Sequence, residues 1–184
     1  QDSYSVSPIL KHVMAILKEH GITKVTMRSD NAGCFKSNAL IGDIACYEDD
    51  LPALIAIIYS ESQLGKGPCD RTTSHAKRKV NERTDGLEDT RNAEEIFKAL
   101  TEKEPIRGTS AYHVSIDCAP EDKPDNVKKF DSISSIFDVR FEDGKVITRK
   151  HTGIGEGTTT ISGLEPLKST LTIHGQGQII ANLY

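Results

Sequence analysis

The sequence lacks the marks of several common protein classes. Its four cysteines include no C-x-x-C pair, which argues against a zinc knuckle. Its longest apolar run, residues 51–59, contains Pro52 and is too short to cross a bilayer, so we expect no membrane association. No signal peptide opens the chain, which starts at Gln1 rather than Met, and we interpret it as a piece of a longer protein.

The charge balance excludes two further classes. A formal net charge of −4 at pH 7 excludes a uniformly basic nucleic-acid protein, although it leaves room for a local basic face. Hydrophobic residues make up 36% of the chain and charged residues 27%, which is not the composition of a disordered polyelectrolyte. The 184 residues suffice for one ordinary domain with a hydrophobic core and a small appendage.

The cysteines stand far apart, at Cys34, Cys46, Cys69 and Cys118. They could form two disulfides, but a chain of this size does not require them. Scattered buried thiols in a reducing compartment are the simpler interpretation.

Hydrophobic periodicity predicts helices that alternate with strands in the first part of the chain. Ser7 is predicted to cap the first helix, Pro8 to lie in its first turn and Gly21 to end it. The predicted elements that follow are a strand at 22–28, a helix at 34–46, a strand at 54–59, and helices at 70–83 and 89–103. This alternation predicts an α/β sheet with parallel neighbouring strands.

The second part of the chain is predicted to be rich in strands. One strand is expected at 112–118, and two more at 136–141 and 145–149 flank the sequence Glu-Asp-Gly, a typical hairpin turn. The end of the chain is rich in glycine, threonine and serine, so we expect weak strands or disorder there. The predicted organisation is an α/β core at 1–105, a β-rich extension with a hairpin at 106–163, and a weakly structured tail at 164–184.

Asp30 is the first candidate site residue. It stands where the strand at 22–28 leaves the sheet, and ligands of α/β folds bind at this edge. Asn31 and Gly33 allow a tight turn that brings the backbone close to a ligand. The alternative is an Asx turn in which Asp30 caps the next helix.

A second candidate loop, residues 60–71, follows the other buried strand and is expected to open at the same edge. Two glycines flank Lys66, but the spacing G-x-x-x-x-G-K-S/T of a P-loop is absent. Asp70 could face Asp30 across the edge, or it could be a helix-start carboxylate favoured by the macrodipole. Glu61 competes with Asp70 for the first of these roles.

The predicted helix at 70–83 is strongly basic. Between Lys66 and Arg83 there are six basic and two acidic residues, whereas residues 84–104 hold three basic and seven acidic ones. A basic helix beside paired carboxylates is what nucleic-acid hydrolases and strand-transfer enzymes require, since cations hold phosphates and carboxylates hold divalent ions. The alternative is a solvated helix face. The six basic residues are Lys66, Arg71, Lys77, Arg78, Lys79 and Arg83.

Paired carboxylates suit phosphodiester cleavage, because the reaction needs an activated nucleophile and a stabilised leaving oxygen. Two magnesium ions about 3.5–4 Å apart supply both, and magnesium prefers oxygen ligands. Two carboxylates alone hold such a pair poorly, so we expect a third on a strand before Gln1.

A cysteine nucleophile is an alternative chemistry. No Ser/His/Asp or Cys/His order stands out in the sequence. Cys34 and Cys69 flank the proposed edge, although packing is the simpler role for both thiols. His75 lies one helical turn beyond Arg71 and could contact phosphate, or it could be an ordinary helix residue.

Two segments carry a resemblance to a known family. Residues 28–35 read RSDNAGCF, and residues 65–71 read GKGPCDR. Together they resemble motifs of a transposon-derived animal protein family, R-x-D-N-A-G-C-Y/F and, further on, S-E/D-x-Q-x-G-K-G-x-C-D-R before a basic helix. Either motif alone is unspecific, whereas the pair is specific, and the resemblance extends over residues 1–157.

The resemblance implies a divergent ribonuclease-H-like transposase or integrase, of which residues 1–105 would be the later part of the core. It implies magnesium-dependent cleavage and strand transfer of DNA, with Asp30 and Asp70 as catalytic metal ligands and a first acidic residue before Gln1. The segment alone is then expected to be inactive, and the protein to be nuclear and able to oligomerise. A domesticated copy that binds DNA without cleaving it is the main alternative. The residues expected to bind phosphate are Lys66, Arg71, Lys77 and Arg78.

Overall fold

The computed structural model describes residues 3–47, 50–60, 67–86, 90–102, 106, 108–117, 129–160, 164 and 166–177. The helices in these residues are α1 (Ser3–Glu19), α2 (Asn38–Ala45), α3 (Pro68–Asp85) and α4 (Ala93–Thr101). The strands are β1 (Lys24–Ser29), β2 (Ala53–Tyr59), β3 (Ala111–Asp117), β4 (Asp138–Glu142), β5 (Lys145–Arg149), β6 (Thr158–Thr160) and β7 (Thr170–Gly177). None of the described helices combines the length and apolarity needed to span a membrane.

The chain forms two compact units. The first comprises Gln1–Gly65 and Ile116–Thr170, and the second comprises Lys66–Ser115 and Leu171–Tyr184. The first therefore holds α1, α2 and the strands β1, β2, β4, β5 and β6, while the second holds α3, α4 and most of β3 and β7.

The first unit is built on a five-stranded sheet with the order β1-β2-β4-β5-β6. Strands β1 and β2 are parallel, whereas β2 with β4, β4 with β5, and β5 with β6 are antiparallel. A mixed α/β architecture is thus confirmed, but the expectation of parallel neighbours holds only for β1 and β2. The reason is the connection: α2 carries the chain back between β1 and β2, while a two-residue turn joins β4 directly to β5.

The turn between β4 and β5 lies where the sequence predicted it. Asp143 has φ 50° and Gly144 has φ 71°, the left-handed values that a tight hairpin turn requires at both central positions. Asparagine, aspartate and glycine are the residues that tolerate this conformation at the least cost, which is why the pattern Asp-Gly was informative.

The hydrophobic core lies between the sheet and the helices α1 and α2. Leu40 and Ile41 of α2 pack with Ile57 of β2 and Val139 of β4, and each of these side chains is fully buried. Burying one such side chain contributes about 1.5–3 kcal/mol. This packing buries one face of the β1–β2 pair, while Asp30, just after the carboxyl end of β1, is exposed.

Two predicted helix starts are wrong. Helix α1 begins at Ser3, and Ser7 lies inside it, buried, where its hydroxyl donates to the Asp43 carboxylate instead of capping the helix. Helix α2 begins at Asn38 with Ser37 as its cap, because the residues before it form a separate turn after β1. At α1 a contact distant in sequence takes the place of the expected cap, and at α2 a tight local turn delays the start of the helix.

In the second unit α3 packs on α4, and β3 pairs with β7. A Cβ atom at Gly177 would lie 2.1 Å from Cγ2 of Thr101, and one at Gly175 would lie 3.1 Å from the Phe97 ring. These two glycines therefore let β7 approach α4 more closely than any other residue would.

Candidate functional site

The carboxyl end of β1 carries Asp30. Its side chain is exposed, and its Oδ1 atom accepts a hydrogen bond from the backbone N–H of Ala32 at 3.0 Å. This is the Asx turn that the sequence allowed, although Ser37 caps the next helix. The Asp30 Oδ2 atom makes no hydrogen bond to any residue in the described part of the chain.

Hydrogen bonds tie the turn after β1 to the end of β2. The Asn31 amide donates to the backbone carbonyl of Ser60 at 2.8 Å, and Arg28 Nε donates to the Ser60 hydroxyl at 3.0 Å. Because β1 and β2 are parallel, their carboxyl ends lie at one edge of the sheet, and these bonds link the two strand ends there. We refer to Arg28, Asp30, Asn31, Lys36 and Ser60 as the strand-end cluster.

Lys36 is a member of this cluster that sequence reasoning missed. Its ammonium group donates to Asn31 Oδ1 at 3.1 Å and to the Ser134 carbonyl at 2.9 Å, and it lies 4.3 Å from the centre of the Phe137 ring. The residue is only 8% exposed. Burial lowers the pKa of Lys36 below its usual value, because desolvation penalises the charged form. No sequence signal marks it, since two of these partners lie about a hundred positions further on.

Tyr59, the last residue of β2, also contacts the turn after β1. Its hydroxyl donates to the Phe35 carbonyl at 2.9 Å, and its ring centre lies 5.1 Å from Lys36 Nζ. Burial raises the pKa of the Tyr59 hydroxyl well above its ordinary value, so the group stays a neutral donor. The turn is thus held to the last residue of β2 by a hydrogen bond as well as by packing.

Asp70 lies in the second unit, in the first turn of α3. Its Oδ2 atom accepts a hydrogen bond from the Gly67 backbone N–H at 3.0 Å, and the side chain is exposed. The helix-start role that the sequence allowed is therefore observed. The meeting of Asp30 and Asp70 at one edge stays a prediction, and Glu61 and Lys66 lie outside the described residues.

The described residues contain no group of three or more histidine, cysteine, aspartate or glutamate side chains that could hold a metal ion. Asp30 and Asp70 each offer one carboxylate oxygen that accepts no hydrogen bond from this part of the chain. One such oxygen does not complete a magnesium site, which takes several oxygen ligands. The magnesium site therefore stays a prediction that requires ligands beyond those described.

Helix α3 presents three of the four predicted phosphate-binding residues to solvent. It has no buried residue along its 18 positions, and Arg71, Lys77 and Arg78 are all exposed. Among the described residues, Arg78 interacts with two members of the same helix, Glu82 at 3.5 Å and His75 at 3.5 Å. Arg71 and Lys77 form no ion pair or side-chain hydrogen bond with the described residues.

The other two basic residues of α3 lie nearer its inner side. Lys79 is half-buried, and Arg83 donates to Glu102, just after α4, at 2.7 Å. They recur with Ala76 and Val80 at spacings of three and four, which places this stripe on the side of α3 that packs on α4. The residues of α3 away from this stripe, including Arg71, Lys77 and Arg78, are exposed to solvent.

The thiols give little support to a cysteine site. Cys34, Cys46 and Cys69 are free, and Cys118 lies outside the described residues. The expectation of buried thiols holds only in part, because Cys34 and Cys46 are half-buried. It is wrong for Cys69, which is exposed because it lies in the first turn of a helix with no buried residue. Neither Cys34 nor Cys69 forms a hydrogen bond with a histidine or carboxylate in the described part of the chain.

Comparison with known proteins identifies the family alone. Neither the curated proteins nor the solved structures gave a significant match. The family model described as "Domain of unknown function (DUF8701)" matches residues 1–148, which include the strand-end cluster and the whole of α3. The chain therefore belongs to the DUF8701 family.

Proposed function

We propose that this chain binds DNA through the phosphate backbone and that the exposed face of α3 makes the contacts. The observation that carries the proposal is the set of solvated cations on a helix with no buried residue, among which Arg71 and Lys77 have no partner in the described residues. Lysine and arginine bind phosphates and release the counterions condensed on DNA. A DNA partner in turn supports the expected nuclear location.

The composition of α3 favours duplex DNA over single strands. Binding of single strands combines a basic groove with aromatic side chains on which bases stack. Residues 67–86 contain no phenylalanine, tyrosine or tryptophan. At a rise of 1.5 Å per residue, Arg71 and Arg78 lie about 10 Å apart along the helix, which lets them contact separate phosphates. We therefore expect contacts to the backbone, with little dependence on base sequence.

The test is the salt dependence of DNA binding by the full-length protein. Each phosphate contact contributes about 0.9 to the slope of log K against log salt. The double variant Arg71→Gln, Lys77→Gln is expected to make the salt dependence shallower, reducing the magnitude of this slope by about 1.8 in fluorescence anisotropy titrations. The matched control is Lys24→Gln, Lys145→Gln, two exposed lysines of the first unit. An equal slope for wild type and the α3 variant would refute the proposal.

Metal-dependent cleavage and strand transfer by a ribonuclease-H-like transposase is the second candidate. It is favoured by the position of Asp30, whose exposed carboxylate follows a strand of the parallel pair. In this candidate Asp30 and Asp70 bind magnesium together with further ligands. The residues that hold the DNA are then Lys66, Arg71, Lys77 and Arg78. Bound magnesium would supply Lewis-acid activation of the nucleophile and stabilisation of the leaving oxygen.

Asp30→Asn separates the two candidates, because the amide oxygen preserves the hydrogen bond to Ala32 while the charge is lost. If the protein cleaves DNA, the variant should lose at least about 100-fold in magnesium-dependent rate and keep its DNA affinity. Asp50→Asn, at another exposed carboxylate of the first unit, is the control. A full-length protein that binds DNA but cleaves it in no divalent metal would leave only the binding module.

A further inference from the structure

We infer that Lys36 is a positioning residue that fixes the turn after β1 and thereby aims the Asp30 carboxylate. The inference goes beyond the proposed function, and its link to metal binding rests on the second candidate above. It starts from an uncommon observation: a lysine that is only 8% exposed, within six positions of an exposed aspartate. Lysine is rarely buried unless it is paired.

No carboxylate pairs with Lys36 among the described residues. Its charge is compensated by the Asn31 side-chain oxygen, the Ser134 carbonyl and the faces of two rings, Tyr59 and Phe137. Carbonyl oxygens and ring faces attract a cation without neutralising it. The ammonium group therefore acts as a fixed cross-link between the turn after β1 and the chain that precedes β4.

The cross-link reaches Asp30 through Asn31. Lys36 holds the Asn31 oxygen, which leaves the Asn31 nitrogen to donate to the Ser60 carbonyl at the end of β2. The backbone N–H of Lys36 also donates to the Ala32 carbonyl at 2.9 Å, and the Ala32 N–H holds Asp30 Oδ1. With Asn31 and Ala32 both held, the hydrogen bond from the Ala32 N–H fixes the Asp30 side chain through its Oδ1 atom.

The alternative explanation is a purely structural lysine, whose loss would loosen the whole first unit. The hydrogen bonds of Lys36 tie the turn after β1 to Ser134, whereas the rings of Tyr59 and Phe137 that it contacts also pack with the hydrophobic core. The behaviour of the core therefore distinguishes the two roles. A structural role predicts equal loosening of turn and core. A positioning role predicts loosening of the turn alone.

The experiment measures amide hydrogen exchange and Mn²⁺ affinity in the same variants of the full-length protein. Lys36→Met removes the charge and both hydrogen bonds but keeps the length, and Lys36→Arg keeps the charge and the donors. Asn31→Ala breaks the same link from the other side, in case the buried lysine cannot be removed without unfolding. Lys24→Met, at an exposed lysine of the same unit, is the control.

We expect Lys36→Met and Asn31→Ala to raise the exchange rate of the Ala32 amide by at least about tenfold, with the Ile57 amide unchanged. Mn²⁺ affinity at Asp30, measured by paramagnetic line broadening, should fall by about the factor of 10–100 seen on removal of outer-shell partners. Lys36→Arg should restore both to within a few fold of wild type.

Three outcomes have distinct meanings. Equal acceleration at Ala32 and Ile57 would overturn the positioning role, and so would an Ala32 amide that exchanges at the wild-type rate in Lys36→Met. If wild-type protein binds no Mn²⁺ at Asp30, the cleavage candidate fails, while the exchange rates still decide whether Lys36 fixes the turn.

Discussion

The two units of this molecule use charged side chains in opposite ways. In the first unit Asp43 and Asp138 are fully buried, and each accepts several hydrogen bonds from the surrounding chain. In the second unit α3 carries its charges in solvent, and two of its cations have no partner among the described residues. These two buried carboxylates therefore specify the structure of the first unit, whereas Arg71 and Lys77 of α3 lie in solvent.

The hydrophobic core should give the largest effect. Ile57→Ala removes a fully buried side chain between α2 and the sheet and should destabilise the first unit by about 4 kcal/mol, through lost burial and the cavity left behind. Ile173→Ala, an exposed residue of β7, should change the free energy of unfolding by less than about 1 kcal/mol. Urea denaturation measures the free energy of unfolding of both variants. Similar losses would contradict the distinction between a packed core in the first unit and an exposed position on β7.

Removal of a buried carboxylate should come next. Asp43 accepts hydrogen bonds from the Ser7 hydroxyl, from Lys11 Nζ at 3.2 Å and from the Leu167 backbone N–H at 2.7 Å. Asp43→Ala leaves these donors unpaired and should cost about 3 kcal/mol. Glu82→Ala on α3, which breaks an exposed pair with Arg78, should cost less than about 0.5 kcal/mol in the same urea titration.

The ion pair that follows α4 should give a smaller effect. Arg83 lies 2.7 Å from Glu102, and the Glu102 side chain is about half exposed. Glu102→Gln keeps the shape and removes the charge, so we expect a loss of about 0.5–1 kcal/mol, reduced further by 1 M salt. Thermal unfolding at low and high salt tests this, and a loss that ignores salt would contradict an electrostatic origin.

The smallest effect should be the pH dependence of α4. A hydrogen bond and charge attraction from Lys98 lower the pKa of Glu94 below its ordinary value of 4.5. Because the pKa is lower in the folded state, the stabilisation is present above the unfolded value and is lost as pH falls through the folded one. NMR titration of Glu94 should show the lowered midpoint, and Lys98→Met should return it to the ordinary value.

The sequence predicted the local features best where one residue type has a specific backbone preference. Asp143-Gly144 gave the hairpin turn, and Gly21, with φ 77°, ends the first helix as expected. Asp30 and Asp70 were each assigned a ligand role or a local role. The Asx turn at Asp30 and the helix-start role of Asp70 are observed, although Ser37 rather than Asp30 caps α2. In each of these cases the deciding interaction lies within three residues, so it is written in the local pattern.

Predictions failed where a distant partner decided the outcome. Serine is a residue type that often caps helices, yet the Ser7 hydroxyl donates to Asp43, thirty-six positions away. No sequence pattern marks Lys36, because its partners Ser134 and Phe137 lie about a hundred positions further along the chain. A single sequence carries no record of such pairings, because they depend on how the strands are ordered in the sheet.

What the sequence determined by itself is the alternation of helices and strands, the tight turns, and a basic helix in an otherwise acidic chain. These follow from backbone preferences and from charges counted along a short segment. Only the tertiary structure decided that β4 pairs with β2 in the antiparallel direction and that Asp43 and Lys36 are buried. It also decided that α3 keeps its basic side chains in solvent. These depend on which surfaces pack together, and packing is settled by contacts between residues far apart in the chain.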